Sequence, residues 1–297
     1  MNRVALINQR LQQEYQNTTS MAQTFGIEFE FQYRGDKSLR GLANHLAEQT
    51  GESVTALYYS DHCYNDNYNF STWRLTTDST AGWELVTPIL HGQDGLDRVE
   101  KMLAVLNQEN INVHRGCGTH VHFGIENTSL KTYANFLAMY SKFERAIDLL
   151  QPESRRGNNN QWTRTFGNYD LDTNNLYIKE IKKIKSKQIN YNSLPNKLAE
   201  YGRRITDKYV KVNVSSYRSK QTVEIRHHAG TTNFHKISTW IKFIDFMFRW
   251  SSMTTTSVTS NKHDDSKKLW NALIGKVKVA GETQLAKDLN KRRKELS

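Results

Sequence analysis

The sequence predicts an α+β fold, a mainly antiparallel sheet with helices packed on one face. Three observations predict it. Several segments alternate apolar and polar residues with a period of two. Between them lie segments whose apolar residues recur at helical spacing. The strands are also half polar, whereas parallel strands buried on both faces read as continuous apolar runs.

Taken in order, Thr24–Tyr33 alternates strictly and reads as a strand. Ser38–Thr50 places Leu39, Leu42, Ala43 and Leu46 on one helical face and stops at Gly51. Tyr58–Phe70 is rich in Tyr and Asn and reads as an excursion whose aromatics pack a loop. Ser71–Thr76 and Trp83–Leu90 are predicted strands across a turn at Asp78–Gly82. Asp94–Asn110 repeats Leu96, Val99, Leu103 and Leu106 as an amphipathic helix. A strand at Thr119–Ile125 and a long helix at Leu130–Leu150 follow, then a loop at Gln151–Asn168. Asp170–Arg204 is polar and lysine-rich and reads as a helical insertion. Tyr209–Tyr217 and Gln221–His227 alternate as a hairpin across Arg218-Ser219-Lys220, with Lys211, Asn213 and Ser215 facing outward. An apolar helix at His235–Trp250, a Ser/Thr-rich linker at Ser251–Ser266 and short basic helices complete the chain. The expected organisation is a catalytic domain over residues 1–250, carrying an insertion at about 170–208, and a basic helical tail over 251–297.

The chain has 297 residues, 37% of them hydrophobic, with 12 Phe, 14 Tyr and 6 Trp, which excludes wholesale disorder. No apolar run approaches the ~18–20 residues that cross a bilayer. The opening residues lack a secretory pattern, and Cys63 and Cys117 make no disulfide framework, so a cytoplasmic protein without membrane partners is expected. Cys117 reads as a buried spacer rather than a nucleophile. Net charge is +11, which favours anionic partners. Lysines cluster at 179–187 and again at 287–294. Both clusters fit solvated helical faces, or docking of an acidic macromolecule or nucleic acid.

Four short segments carry ionisable residues at alternate positions. Glu28 and Glu30 share one face of FGIEFEF, opposite Ile27, Phe29 and Phe31. His120 and His122 share a face in GTHVHFG, and Glu84 stands in an otherwise apolar strand. Glu224, Arg226 and His228 share a face in TVEIRHHA. Such residues converging on one sheet face read as a metal–anion site rather than a solvated surface. Oxygen-rich ligation with few imidazoles and no thiolates favours Mg²⁺ or Mn²⁺ over zinc. Such a face suits phosphoryl transfer, in which positioning and charge neutralisation do most of the catalysis.

At these residues the sequence resembles the amidoligase family, relatives of glutamate–cysteine ligase and glutamine synthetase. The matching pieces are Phe25–Phe31, Asp78-Ser79 with Gly82–Leu90, Cys117–Gly124, Arg155-Arg156 with Asn158, and Thr222–Thr231. The resemblance implies a curved, glutamine synthetase-like antiparallel sheet, with ATP-dependent ligation of a carboxylate to an amine; relatives of this fold often assemble into oligomers, and the sequence leaves the oligomeric state open. It implies Glu28, His120 and Glu224 around one metal and Glu30 and Glu84 around another. His122 would face the ATP phosphates. Arg226 would neutralise the transferring phosphoryl group, with Arg155 or Arg156 assisting. Asp78, Asn158, Asn213 and His228 are the expected substrate contacts, with His228 or Asp78 also in place to serve as general base. Two other classes compete: a metal-dependent hydrolase of an amide or phosphoester using the same residues, and a non-catalytic basic protein that binds nucleic acid.

Overall fold

The computed structural model describes residues 3–58, 70–79, 81–165, 208–256 and 265–297. The Tyr/Asn-rich excursion, the lysine-rich insertion with its 179–187 cluster, and the middle of the Ser/Thr-rich linker lie outside those residues. In chain order the elements are α1 (Arg3–Gln16), β1 (Phe25–Tyr33), α2 (Leu39–Thr50), β2 (Val54–Leu57), β3 (Trp73–Asp78) and β4 (Gly82–Val86). Next come α3 (Gly92–Leu106), β5 (Ile111–Asn112), β6 (Gly118–Gly124), α4 (Leu130–Asp148) and a 3-10 turn at Glu153–Arg155. The rest are β7 (Val212–Asn213), α5 (Tyr217–Lys220), β8 (Thr222–Ala229), α6 (Phe234–Met253), α7 (Ser266–Val279) and α8 (Thr283–Glu295). The fold is α+β, with a mixed, mostly antiparallel open sheet.

Two compact units are present. The first comprises Met21–Phe123 and Ile225–Ser238; the second comprises residues 1–20, 124–224 and 239–297. In the first, strands are ordered β2-β3-β4-β1-β6-β8, with β5 also on β1 and β2–β3 the parallel pair. Alternation along β1 puts Phe25, Ile27, Phe29 and Phe31 on one face, each almost fully buried. Register carries that face across neighbouring strands: Phe29 stands opposite Leu85 and Thr119, and Ile27 opposite Val121. The apolar faces of α2 and α3 are buried with it. α2 begins where the Ser38 hydroxyl accepts the Gly41 N–H and ends at Gly51, whose φ of 70° suits a residue without Cβ. α3 starts tight against the sheet, since a Cβ on Gly95 would lie 3.1 Å from the Phe25 ring.

Two elements of this unit are shorter than the sequence predicts. β4 ends at Val86 because Thr87 turns its hydroxyl to the Ile27 N–H and Pro88 supplies no donor; beyond it the Thr87 N–H still donates to the Ile27 carbonyl and Phe25 pairs with Leu90. α3 ends at Leu106 because Asn110 exchanges hydrogen bonds with Arg34, drawing the last predicted turn toward β1.

The second unit is mainly helical, with β7 and the first three residues of β8 as its strands. Phe136 of α4 stacks on Phe248 of α6, with centroids 3.9 Å apart and planes 4° from parallel. Leu269, Trp270, Leu273 and Val277 of α7 are buried, and Leu285 and Leu289 of α8 with them. The helix α1, which sequence reading missed, is fixed by Tyr15. Its ring lies under the Arg249 guanidinium and its hydroxyl donates to Glu282. That burial raises the phenol far above its ordinary pKa.

The predicted hairpin is also curtailed. Its first strand is only Val212–Asn213, because local bonds from Asn213, Ser215 and Ser216 displace ladder pairing. The turn is the short helix α5, closed by Gln221 at φ 54°. Lys211, expected outside, is wholly buried because its ammonium meets the carboxylates of Glu144 and Asp148. Beside it Val210 bridges Arg164 in parallel: the Arg164 N–H donates to the Tyr209 carbonyl and the Lys211 N–H to the Arg164 carbonyl. No helix among the described residues is long and apolar enough to cross a membrane.

The bidentate pair between Arg98 and Glu52, both bonds 2.7 Å, holds the Glu52 carboxyl below its ordinary value. A lowered carboxyl contributes stability above the unfolded value of 4.5 and loses it as pH falls through the folded one. Arg98→Met should therefore cost up to about 1 kcal/mol at pH 7. In urea titrations the gap to wild type should shrink as pH falls below 4.5.

Candidate functional site

The polar face of the first unit follows from the same alternation. Glu28 and Glu30 point away from the core, and register sets Glu28 opposite His120, Gly26 opposite His122, and Glu30 opposite Glu84. Five ionisable residues predicted from sequence thus meet on three neighbouring strands. Glu28 is the hub: Oε2 lies 3.2 Å from His120 Nδ1 and Oε1 lies 3.1 Å from His122 Nε2. His120 Nε2 reaches Glu30 Oε1 at 3.6 Å, and the Gly118 N–H donates to Glu30 Oε2 at 2.6 Å. Both imidazoles are buried, and the two carboxylates are 15% and 11% exposed.

Like charges on directly opposed strand positions repel, so a cation beside the Glu30–Glu84 pair is favoured there. One ligand atom each from Glu28, Glu84 and His120 lies within 4.8 Å of the others. Two carboxylates and one imidazole, without thiolate, form a donor set that suits Mg²⁺ or Mn²⁺.

The other predicted residues are distributed as follows. Arg226 and His228 occupy alternate positions of β8 in the first unit. His228 is buried and its Nδ1 is 2.6 Å from the Ala229 carbonyl. A carbonyl only accepts, so Nδ1 carries the proton. Asp78 closes the β3–β4 turn by accepting the Ala81 N–H. In the second unit, Glu224 is buried on β8 and its Oε2 accepts from Asn213 Nδ2 at 2.7 Å. Arg155 is buried in the 3-10 turn. Arg156 donates to the carbonyls of Gln151 and Leu296, and Asn158 accepts the Thr165 N–H and hydroxyl.

Sequence reading missed three contributors. Arg74 and Thr76 on β3 stand opposite Val86 and Glu84, which puts them on the polar face, and alternation within the predicted strand was the available signal. The third is Gly230, whose N–H donates to the Cys117 carbonyl beside the histidine strand. Close backbone approach requires glycine there, and such an approach leaves no periodic trace. In the second unit, Lys278, Lys287, Lys291 and Lys294 line a groove of about 890 Å³ between α7 and α8.

Residues 21–247 match the family described as "Putative amidoligase enzyme", and the chain belongs to that family. Two solved structures are similar to it. One is a bifunctional glutathione synthetase from Pasteurella multocida, with TM-score 0.47 and 11% identity, covering 100% of this chain. The chain spans about half of that protein, 49% of its length. The other is a glutamine synthase homolog, with TM-score 0.45 and 11% identity, covering 97% of this chain and 70% of its own. No curated protein matches the chain.

A Cβ on Gly230 would lie 2.6 Å from Cys117 Cβ and 2.9 Å from its carbonyl carbon and oxygen. Because backbone must move, Gly230→Ala should cost about 1–3 kcal/mol in chemical denaturation.

Proposed function

We propose that this amidoligase is an ATP-dependent carboxylate–amine ligase that forms an amide through an acyl phosphate. The observation carrying the proposal is the cluster of Glu28, Glu30, Glu84, His120 and His122 on one sheet face, within the residues that match the family. In this reading Glu28, Glu84 and His120 hold a metal, Glu30 serves a second one with Glu84, and Glu224 acts as a further ligand. A bound Mg²⁺ or Mn²⁺ supplies charge neutralisation at the phosphate oxygens.

His122 and Arg226 bind and orient the ATP phosphates. The substrate carboxylate attacks the γ-phosphorus and ADP leaves; Arg226 offsets the charge that spreads over the transferring oxygens. Arg155 or Arg156 assists from the loop, Arg155 from a buried position and Arg156 with its guanidinium held by two carbonyls. The amine then attacks the acyl carbon and phosphate leaves. An alkylammonium has a pKa near ~10, so a base must take its proton. His228, whose Nδ1 is 2.6 Å from the Ala229 carbonyl, is the proposed acceptor, with Asp78 the alternative. Asp78 and Asn158 are the remaining proposed substrate-side residues, each also accepting hydrogen bonds within its own turn or loop. The lysine-lined groove between α7 and α8 supports an acidic partner or substrate.

Calorimetric titration of ATP in Mg²⁺ tests the proposal. Wild type should bind ATP only with metal present, and Glu28→Gln, which keeps the side-chain volume, should weaken binding by about tenfold or more. Metal-independent ATP binding that Glu28→Gln leaves unchanged would remove the cluster from the site. Turnover of an amide or phosphoester without ATP would instead establish the hydrolase.

A further inference from the structure

The family resemblance implies a substrate contact at Asn213, but its surroundings give it other work. We infer that Asn213 is a positioning residue that holds the Glu224 carboxylate in a single orientation for metal ligation. This deepens the ligase reading and rests on Glu224 being a ligand. Three observations support it, all within the second unit.

First, the Asn213 amide has a defined orientation. Its Oδ1 accepts both the Ser215 N–H, at 3.0 Å, and the Ser215 hydroxyl, at 2.6 Å. An oxygen that accepts two donors cannot be exchanged for the NH₂ group, so Nδ2 must be the atom that faces Glu224. Second, the bond from Nδ2 to Glu224 Oε2 is 2.7 Å long and buried at both ends, Asn213 being 4% and Glu224 5% exposed. A charge-assisted bond of that length between buried groups fixes the rotation of the carboxylate about its last torsion. Third, the strand beneath it is anchored. Lys211, two residues before Asn213, is wholly buried with its ammonium on Asp148 and 3.5 Å from Glu144, both on α4. The other oxygen of Asp148 accepts the Gly157 N–H. β7 therefore has a fixed depth relative to α4, and Asn213 inherits it.

Neutral amides that hold a ligating carboxylate matter to metal binding because they select the ligand's geometry without changing its charge; losing such a partner typically costs about 10–100-fold in affinity. Asn213→Asp keeps the shape, removes the donor and sets a second carboxylate against Glu224. Asn213→Ala removes the donor without adding charge, and serves should the aspartate variant fail to fold.

The test is Mn²⁺ binding to the full chain without nucleotide, read by electron paramagnetic resonance of the free ion, with circular dichroism and thermal melting as controls for folding. Four proteins are compared: wild type, Asn213→Asp or Asn213→Ala, Glu224→Gln, and the double variant. The inference expects the Asn213 variant to lose about 10–100-fold in Mn²⁺ affinity. It expects Glu224→Gln to lose at least as much, and the double variant to bind no worse than Glu224→Gln alone, because Asn213 acts through Glu224. Wild-type affinity in a folded Asn213 variant, with Glu224→Gln weakened, overturns the positioning role and leaves Glu224 a ligand. Wild-type affinity in Glu224→Gln overturns the ligand assignment itself, and the role of Asn213 with it. Additive losses in the double variant would show Asn213 acting independently of Glu224, and would also overturn the inference.

Discussion

Strict alternation along β1 is the constraint on which the rest depends. Phe25, Ile27, Phe29 and Phe31 go into the core because every second side chain must. The same rule delivers Glu28 and Glu30 to the opposite face. A shift of one residue in the pairing with β4 or β6 would exchange the two sets, burying carboxylates among phenylalanines. The apolar core thus enforces the geometry of the polar face, and the register Glu28–His120 is as well defined as Phe29–Leu85.

Electrostatics then decides what such a face can be. A surface strand gains nothing from opposing Glu30 with Glu84, and an unpaired buried carboxylate is costly. Glu28 is held between two imidazoles, and Glu30 takes the Gly118 N–H. The second unit follows a similar logic: Lys211 enters the interior only because two carboxylates of α4 meet it. In both places charge is brought inside with its partners.

Much of this was legible in the sequence, for a physical reason. Period-two and period-3.6 patterns are local, so β1, β6, α2 and α4 were recognisable, and so was the sharing of a face by Glu28 and Glu30 or by His120 and His122. Cross-strand register is nonlocal and not so encoded: nothing in FGIEFEF says that His120 stands opposite Glu28. Side-chain competition for backbone bonds was equally hidden. It shortened the strand before α5 through Asn213 and Ser216, and ended β4 through Thr87. α1 was missed because its one buried anchor, Tyr15, depends on Arg249 and Glu282, more than two hundred residues away. Lys211 was assigned outward because alternation alone cannot see the acids on α4.

The bridge between Arg164 and Val210 has a consequence for how this chain can vary. It sets Arg164 beside Val210 within the second unit, so the separation of these two backbone positions is fixed by the described residues around them. The entropy cost of joining two fixed points of a chain grows only with the logarithm of the number of residues between them, about 0.6 kcal/mol per doubling. By that rule the number of residues between Arg164 and Val210 can change at little thermodynamic cost, with Lys211, β7 and the Glu224 carboxylate kept in place. Length variation among related chains is therefore expected to concentrate there, and the strands that carry the acidic residues are expected to keep their spacing.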